Sequence, residues 1–272
     1  MYIGIDVGGT KTLVASLDDN GVIVSSKKFP TPKDYKEFLK EVGETVRSFG
    51  EQEYIAGGVG IPAYNIDRKK EIAVAFANLP WVNSSVASDL KKIIGCPMFM
   101  ENDAKLGALS EAMLVKDKFS VVLYLAIGTG IGYAIIDDLK INMDAGAAGG
   151  SIMLVNSGGK LVSWESIASG RAIFNQYGKK AKDIEDPETW QEISHNLAEG
   201  LQELISVFQP QVIIVGGGVG KYFDKFSDKL RKEIEDYHLP LVDLPELLGA
   251  RRPDEAVIYG CYDYAKQQLK LS

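Results

Sequence analysis

Two glycine-rich turns are the segments of this sequence best suited to bind an anion. Gly8 and Gly9 form the first turn, after an apolar segment, and Gly128, Thr129 and Gly130 form the second. Glycine leaves the backbone N–H groups of a turn approachable, and such groups can bind phosphate oxygens. An ordinary hairpin turn would contain the same glycines, so the first turn alone leaves both interpretations open.

Two aspartates lie where a carboxylate could assist phosphate chemistry. Asp6 ends the segment before the first turn, and we expect it to hold a divalent cation, directly or through water, that neutralises phosphate charge. Asp103 lies where a predicted strand meets a predicted helix, so the helix dipole should lower its pKa. Asp103 could also cap that helix, and a capping role is compatible with a role in phosphate chemistry. A low pKa still suits phosphoryl transfer, in which positioning the hydroxyl matters more than removing its proton early.

The pattern around the first turn occurs twice. Residues 1–24 contain an apolar strand, the glycine turn, a second apolar strand, an acidic turn and a third strand, and residues 121–142 repeat that order. A repeated three-stranded antiparallel meander indicates two similar domains. We therefore expect two phosphate-binding turns that face one cleft. The chain contains no GxxxxGK[ST] sequence, which excludes a Walker-type phosphate site.

Hydrophobic periodicity and breaker residues predict the remaining elements. A buried, glycine-containing strand at 55–61 would let another element or a ligand approach its backbone. A third glycine run, Gly216, Gly217 and Gly218, follows a short buried strand and could receive the face and ribose of a nucleotide. Predicted helices cover residues 34–49, 84 or 85 to 94, 104–114, 190–208, 222–237 and 255–269, another begins near residue 164, and further strands cover 97–100, 212–215 and 239–244.

The overall composition is that of a globular, acidic protein. The 272 residues are 46% apolar, with a net charge of −7 and a pI near 5.1. That charge argues against nucleic acid or an anionic membrane as a partner. The sequence shows neither a signal peptide nor an apolar run of transmembrane length, so we expect a cytoplasmic protein. Cys96 and Cys261 form no spaced motif and are predicted to be core residues.

Six short segments, in their order and spacing, resemble the ROK family of sugar kinases, and bacterial ROK glucokinases are the nearest type. The resemblance extends over nearly the whole chain. The segments are Asp6-Val7-Gly8-Gly9-Thr10-Lys11, Gly60-Ile61-Pro62, Asn78-Leu79-Pro80-Trp81, Glu101-Asn102-Asp103-Ala104, Gly128-Thr129-Gly130-Ile131-Gly132 and Gly216-Gly217-Gly218.

The resemblance implies the α/β fold of the actin, hexokinase and Hsp70 superfamily. Two actin-like ATPase (ribonuclease H-like) domains would contain duplicated mixed sheets, flanked by helices, with a central cleft. The N-terminal domain would comprise residues 1–104 and a C-terminal helix at 257–272, which would pack back on it. The C-terminal domain would comprise residues 105–256.

The resemblance also implies a role for each candidate residue. Asp103 would be the base that orients and deprotonates a sugar hydroxyl, and Asp6 would help to hold Mg²⁺. Asn78 is explained equally well as a loop residue that bonds its own backbone, and Glu165 as an exposed glutamate in the first turn of a helix. ATP would be bound by Asp6, Gly8, Gly9, Thr10, Lys11, Thr12, Gly128, Thr129, Gly130, Gly216, Gly217 and Gly218, and the sugar by Gly60, Asn78, Asn102, Asp103 and Glu165.

The sequence departs from the family pattern after the second meander. Most ROK kinases carry Gly-Glu-x-Gly-His there, in which Glu binds sugar and His binds zinc, followed by zinc-binding cysteines. The aligned residues here are Gly146-Ala147-Ala148-Gly149-Gly150, no cysteine follows, and the two histidines, His195 and His238, lie far away in sequence. We therefore expect no zinc. Loss of the glutamate removes a charge-assisted hydrogen bond of roughly 1.5 to 3 kcal/mol, for which Asp144 could compensate.

These features predict an ATP-dependent hexose kinase of carbohydrate metabolism (glycolysis), specifically a glucokinase that phosphorylates the sugar 6-hydroxyl. One alternative is a non-catalytic sugar or nucleotide sensor, favoured by the missing Glu and His and opposed by the retained aspartates and turns. Another is a kinase for N-acetylmannosamine, another amino sugar or fructose. We do not expect a DNA-binding repressor, because the first strand begins at residue 2 with no helix-turn-helix before it. Whether the protein forms a homodimer stays open.

Overall fold

The computed structural model describes residues 1–146, 149–236, 242–252 and 254–271. By their internal contacts the residues fall into two compact units, Met1–Ser110 with Glu255–Ser272, and Glu111–Asp254. In the described part of the chain, every helix is too short or too polar to span a lipid bilayer.

The first meander forms three strands of a five-stranded sheet. Strand β1 pairs antiparallel with β2, which pairs antiparallel with β3, so the predicted meander is confirmed. Two later strands extend the sheet parallel to β1, in the order β3-β2-β1-β4-β8. Their bounds are β1 Tyr2–Val7, β2 Lys11–Leu17, β3 Ile23–Pro30, β4 Ala56–Ile61 and β8 Met98–Asn102.

A small antiparallel sheet and four helices complete the first unit. The sheet, in the order β5-β6-β7, was not predicted, because each of its strands has five residues or fewer. The strands are β5 Ala63–Asp67, β6 Ile72–Phe76 and β7 Val82–Ser84, and the helices are α1 Tyr35–Ser48, α2 Val86–Ile94, α3 Asp103–Met113 and α9 Ala256–Leu271.

The second meander builds a sheet of the same topology in the second unit. Its order is β11-β10-β9-β14-β15, with β9 antiparallel to β10 and parallel to β14. The sequence repeat therefore corresponds to a repeated sheet. The strands are β9 Val121–Ile127, β10 Ile131–Asp137, β11 Lys140–Ile141, β14 Val212–Gly216 and β15 Glu246–Gly249.

A hairpin and five helices surround this second sheet. The long α6 packs its buried leucines into the core cluster, together with Trp164 and Trp190. Pro187 at its first turn and the Asp186 cap explain where it begins. The elements are β12 Leu154–Ser157, β13 Lys160–Ser163, α4 Trp164–Ala168, α5 Gly170–Tyr177, α6 Pro187–Phe208, α7 Gly217–Gly220 and α8 Ser227–Asp236.

Glycines of β1 and β4 allow α9 to approach the first sheet. For β4 the sequence predicted that another element or a ligand could come close to the backbone. A Cβ on Gly58 would lie 2.5 Å from the carbonyl oxygen of Cys261 in α9, and one on Gly4 would lie 3.1 Å from that of Ile258. Both cysteines are buried, as predicted. A larger side chain on β4 would therefore separate α9 from the sheet.

Three other element predictions need correction. The helix expected near residue 164 is two helices, because Ser169 interrupts α4 and caps α5 through a bond from the Ala172 N–H. The helix predicted at 222–237 is a 3₁₀ turn at Phe223–Lys225 followed by α8, and residue 237 lies outside the described residues. The strand predicted at 239–244 is wrong in its described part, residues 242–244, and the strand is β15 instead.

Candidate functional site

The first glycine turn leaves two backbone donors unused. The Gly8 N–H donates to the Lys11 carbonyl at 3.0 Å and closes the turn. The N–H groups of Gly9 and Thr10 have no acceptor among the described residues. Thr10 and Lys11 are exposed. The turn therefore presents free N–H groups, as anion binding requires.

Thr12 supports the turn and does not present its hydroxyl. Its side chain is fully buried, and its Oγ1 lies 3.0 Å from Oγ1 of Thr31. The Thr31 hydroxyl in turn donates to the Gly8 carbonyl at 2.7 Å. Because that donation uses the only Thr31 hydroxyl proton, the Thr12 hydroxyl must donate to Thr31. Thr12 was predicted to bind ATP, and its side chain has no exposed surface with which to do so.

Asp6 and Asp103 are neighbouring carboxyl groups of the first unit, and both are partly buried. Burial raises the pKa of Asp6 to about 7, and the nearby Asp103 carboxylate adds to that rise. Burial likewise raises the pKa of Asp103 to about 6. Two like charges that repel each other at a buried site favour a cation or a proton between them.

The raised pKa of Asp103 corrects the expectation of a low one. Asp103 is the first residue of α3, and its Oδ1 accepts the Ala104 N–H at 2.8 Å. That bond and the helix N-terminus favour the ionised form, but the loss of solvation outweighs them. The capping role belongs to Asn102, whose Oδ1 accepts the Lys105 N–H at 3.2 Å.

The residues before Asp103 are fixed by a dense set of contacts. The Asn102 Nδ2 donates to the Ala63 carbonyl at 3.1 Å. Glu101 is fully buried and forms a bidentate ion pair with Arg68, with a shortest distance of 2.7 Å. It also accepts the Asn102 N–H at 2.9 Å. The end of β8 is therefore held against the β5–β6 turn, which fixes the position of Asp103.

Asn78 lies against the first turn, and Gly60 lies against Asp103. A Cβ on Gly9 would lie 2.8 Å from the Asn78 Cβ. Asn78 itself is exposed and has a φ of 63°. A Cβ on Gly60 would lie 2.4 Å from a Val257 methyl group and 3.6 Å from the Asp103 Cα. Packing against α9 is therefore sufficient to explain the glycine at position 60.

The second glycine turn is held by Glu165 and Gly170. The Gly128 N–H donates to the Gly130 carbonyl at 2.9 Å, and the Gly170 N–H donates to the Gly128 carbonyl at 2.8 Å. Glu165 Oε2 accepts the Ile131 N–H at 2.9 Å and would lie 2.3 Å from a Cβ on Gly130. Glu165 therefore lies against this turn, and its remaining lone pairs are left for a further donor. Thr129 is exposed at the tip.

The third glycine run lies against the strand that leads into the second turn. Gly217 has a φ of 77°, and a Cβ there would lie 2.6 Å from the Ile127 carbonyl oxygen. A Cβ on Gly216 would lie 2.3 Å from the Tyr124 hydroxyl oxygen. Gly218 differs, because a Cβ there would have no protein atom within 4 Å. The same holds for Gly128 in the second turn.

The candidate residues thus form two groups, one in each unit. The first unit brings together Asp6, Gly8, Gly9, Thr10, Lys11, Thr12, Gly60, Asn78, Asn102 and Asp103, and the second unit brings together Gly128, Thr129, Gly130, Glu165, Gly216, Gly217 and Gly218.

The region of the missing sugar and zinc residues is described in part. Position 147, where the resemblance places the family's glutamate, falls outside the described residues, as do position 148 and His238. Asp144 is exposed. His195 is a surface residue of α6, as predicted, and its Nδ1 lies 2.9 Å from Glu233 Oε2. No cluster of three His, Cys, Asp or Glu side chains suited to a metal ion occurs within the part of the chain that the structure covers.

Three residues near the first group carried no signal in the sequence. Lys33 donates from Nζ to the carbonyls of Gly9 and Asn78, both at 3.0 Å. Thr31 and Arg68 have the contacts described above. Thr31 and Lys33 lie between β3 and α1, and Arg68 lies between β5 and β6. Each of them reaches the site only through the tertiary fold.

Comparison with known proteins identifies relatives along nearly the whole chain. A sequence model of the ROK family matches residues 2–268. A glucokinase of Streptomyces coelicolor is 25% identical, over 98% of this chain and 98% of that protein. An N-acetyl-D-glucosamine kinase of Vibrio atlanticus is 28% identical, over 96% of this chain and 98% of that protein.

A solved structure extends this similarity to three dimensions. It is that of a ROK family glucokinase from Streptomyces griseus in complex with glucose and AMPPNP. The two chains are 26% identical and superpose with a TM-score of 0.81, over 98% of this chain and 99% of the other.

Proposed function

This chain belongs to the ROK family and has its actin-like α/β fold, and from that premise we propose that it is an ATP-dependent sugar kinase. The observation that carries the proposal is the neighbouring pair of partly buried carboxyl groups, Asp6 and Asp103, in the same unit as a turn with two free N–H groups, those of Gly9 and Thr10. This combination supplies what phosphoryl transfer needs: a base for the acceptor alcohol and preorganised donors for phosphate oxygens.

Asp103 would act as the base. With a pKa raised to about 6, it is ionised at neutral pH and yet basic enough to take a proton from a hydroxyl group as the phosphoryl group is transferred. Its position is fixed by the Glu101–Arg68 pair and by the Asn102 cap. A rigid base aligns the attacking oxygen, and alignment contributes much of the rate in such reactions.

The sugar would be held by amide and carboxylate side chains. Asn102 has one amide hydrogen left after its bond to Ala63, and exposed Asn78 adds another amide. Glu165 can accept a sugar hydroxyl while it retains the Ile131 N–H. The Gly60 backbone lies beside Asp103 and so could contact the same ligand.

The position of Asp6 also fits Mg²⁺. Mg²⁺ is usually bound through one or two carboxylates together with substrate phosphates, and a cation at Asp6 would offset the repulsion that the Asp6 carboxylate meets from Asp103. Asp6, at the edge of the glycine turn, would hold the ion directly or through water. Mg²⁺ would neutralise phosphate charge as the γ-phosphoryl group is transferred.

The glycines of the second unit support nucleotide binding. Gly128 and Gly218 have no steric reason within the described protein to lack a side chain, since a Cβ at either position would meet only open space. A ligand that lies close to the backbone would supply that reason. The turn at Gly128, Thr129 and Gly130 would contact phosphates, and the run at Gly216, Gly217 and Gly218 would border adenosine.

Glucose or a close relative is the proposed acceptor, phosphorylated at the 6-hydroxyl. This is supported by the glucokinase of Streptomyces coelicolor and by the glucose complex from Streptomyces griseus. The N-acetyl-D-glucosamine kinase of Vibrio atlanticus makes the N-acetyl sugar the second candidate.

The test is a coupled ADP-release assay with MgATP and a panel of sugars. The panel contains glucose, mannose, fructose, N-acetylglucosamine and N-acetylmannosamine. We expect sugar-dependent ADP release, fastest with glucose. If no sugar of the panel caused ADP release although the protein still bound ATP, the result would contradict the kinase proposal and support a sensor.

A further inference from the structure

A short segment that follows β3 holds the carbonyl side of the first glycine turn. The carbonyls of Gly8, Gly9 and Thr10 accept hydrogen bonds from the Thr31 hydroxyl at 2.7 Å, from Lys33 Nζ at 3.0 Å and from the Thr31 N–H at 2.9 Å. Three successive carbonyls are therefore bound by residues 31–33.

This arrangement determines where the N–H groups of the turn point. In a trans peptide the C=O and the following N–H lie on opposite sides, and the Gly8–Gly9 and Gly9–Thr10 peptides are trans. Because their carbonyls are directed at residues 31–33, the N–H groups of Gly9 and Thr10 must be directed away from them. Successive N–H groups on one side of a turn form an anion-binding concavity.

Lys33 also joins this turn to the Asn78 loop. Its ammonium group donates to the Gly9 and Asn78 carbonyls, both at 3.0 Å, and an ammonium group has a third N–H to give. Gly9 and Asn78 are in direct contact as well. The turn proposed to bind phosphate and the loop proposed to bind sugar are thus connected through one cation.

The Lys33 backbone is anchored independently of its side chain. Its carbonyl accepts the Trp81 Nε1–H at 2.9 Å. Trp81 is buried and packs against the rings of Tyr35, Phe38 and Phe76. The side chain of Lys33 is itself exposed. Replacing it should therefore leave the fold intact while removing both carbonyl contacts.

We propose that Lys33 is a positioning residue that orients the phosphate turn and couples nucleotide binding to sugar binding. The inference rests on the proposed kinase function. Sugar contact at Asn78 would stabilise the Lys33 bridge, and the bridge would stabilise the turn conformation that binds phosphate. Coupling of this kind is reciprocal, so each ligand should increase the affinity for the other.

The test compares Lys33→Met with a matched control, Lys36→Met. Lys36 is an exposed lysine of α1, three residues away, so both variants lose one surface charge. The Kd of AMPPNP with Mg²⁺ is measured by calorimetry with and without saturating glucose, and melting temperature is measured in parallel. In Lys33→Met the phosphate turn loses its charge-assisted bond at the Gly9 carbonyl, so we expect a Kd for AMPPNP about tenfold higher. Because the bond to the Asn78 carbonyl is lost as well, glucose should have no further effect on that Kd.

Other outcomes separate this inference from the kinase proposal. The Lys36→Met variant should behave as wild type, and Lys33→Arg, which can donate to both carbonyls, should recover most of the affinity and the glucose effect. An unchanged Kd and an unchanged glucose effect in Lys33→Met would overturn the inference and leave the kinase proposal standing. Equal losses in Lys33→Met and Lys36→Met would also overturn it, because the effect would then be one of net charge. A wild-type chain that binds no AMPPNP would overturn both.

Discussion

The chemistry proposed for this protein depends on how burial changes single side chains. Sequence position identified Asp6 and Asp103 as candidates, because one precedes a glycine turn and the other a helix. It could not give their protonation behaviour, since desolvation depends on residues brought in by the fold. The helix N-terminus alone would lower the Asp103 pKa, whereas burial raises it to about 6.

The raised pKa of Asp103 predicts a pH dependence of catalysis. If Asp103 is the base, its ionised carboxylate is the active form, so kcat/KM should fall as the pH decreases through about 6 and should be independent of pH above about 7. Steady-state rates with saturating Mg²⁺ between pH 5 and 9 measure this. A profile that stays flat down to pH 5 would mean that no buried carboxyl group of this kind limits the reaction.

Substitutions of Glu165 separate its observed bond to the Ile131 N–H from its proposed contact with the sugar. Glu165→Gln retains an oxygen for the Ile131 N–H but loses the charge offered to a sugar hydroxyl, so KM for the sugar should rise about tenfold while KM for ATP is unchanged. Glu165→Ala loses both contacts and should raise both KM values. If Glu165→Gln raised KM for ATP alone, the residue would serve the phosphate turn and not the sugar.

At the scale of elements, the sequence predicted the two repeated meanders but missed the short strands. Both meanders contain long apolar segments that are separated by glycine turns, and they fold as predicted. The three-stranded sheet β5-β6-β7 and the hairpin β12-β13 have strands of five residues or fewer, too few to show a period. Residues 31–33 were missed for a different reason, because their bonds to the first turn are tertiary.

Two glycines of the second unit offer a matched test of why glycine is present. Gly128→Ala adds a methyl group in open space, so the free energy of unfolding should change by less than about 0.5 kcal/mol while KM for ATP rises. Gly217→Ala introduces a Cβ at φ 77° against the Ile127 backbone and should destabilise the protein by about 2 kcal/mol or more. Urea unfolding and ATP kinetics measure both. A stable Gly128→Ala variant with normal KM would remove position 128 from the nucleotide site.

At the scale of the molecule, one unit is built from both ends of the chain. The last helix, α9, packs on β1 and β4 through backbone contacts at glycines. The resemblance to the ROK family implied this return of the chain. The periodicity of α9 could not have predicted this packing, because the sequence of a helix does not identify the strands on which it packs.

The Asp6–Asp103 pair predicts how the stability of the whole protein changes with pH. Its folded-state pKa values lie above the value of 3.8 for an unperturbed aspartate, so the folded state retains these protons more tightly. Their contribution is therefore most favourable below about pH 4 and is lost as the pH rises through about 7. Asp6→Asn removes the cost of ionising one buried carboxyl group and should raise the free energy of unfolding at pH 8 by ~2 kcal/mol.

Urea unfolding at pH 5 and pH 8 measures this effect. The advantage of Asp6→Asn should be smaller at pH 5, and Mg²⁺ should stabilise the wild type at pH 8 more than it stabilises the variant. Identical pH dependence in the two proteins would show that Asp6 is not the group that titrates.

The most direct test of the central claim is transfer of phosphate to a sugar by wild type and by Asp103→Asn. Sugar phosphate formed from MgATP and glucose is measured by ³¹P NMR, and AMPPNP binding is measured on the same preparations. The wild type should form glucose 6-phosphate, and Asp103→Asn should bind AMPPNP with near-normal affinity while its kcat falls by a factor of about 100 or more. Turnover by Asp103→Asn at the wild-type rate would contradict the assignment of Asp103 as the base.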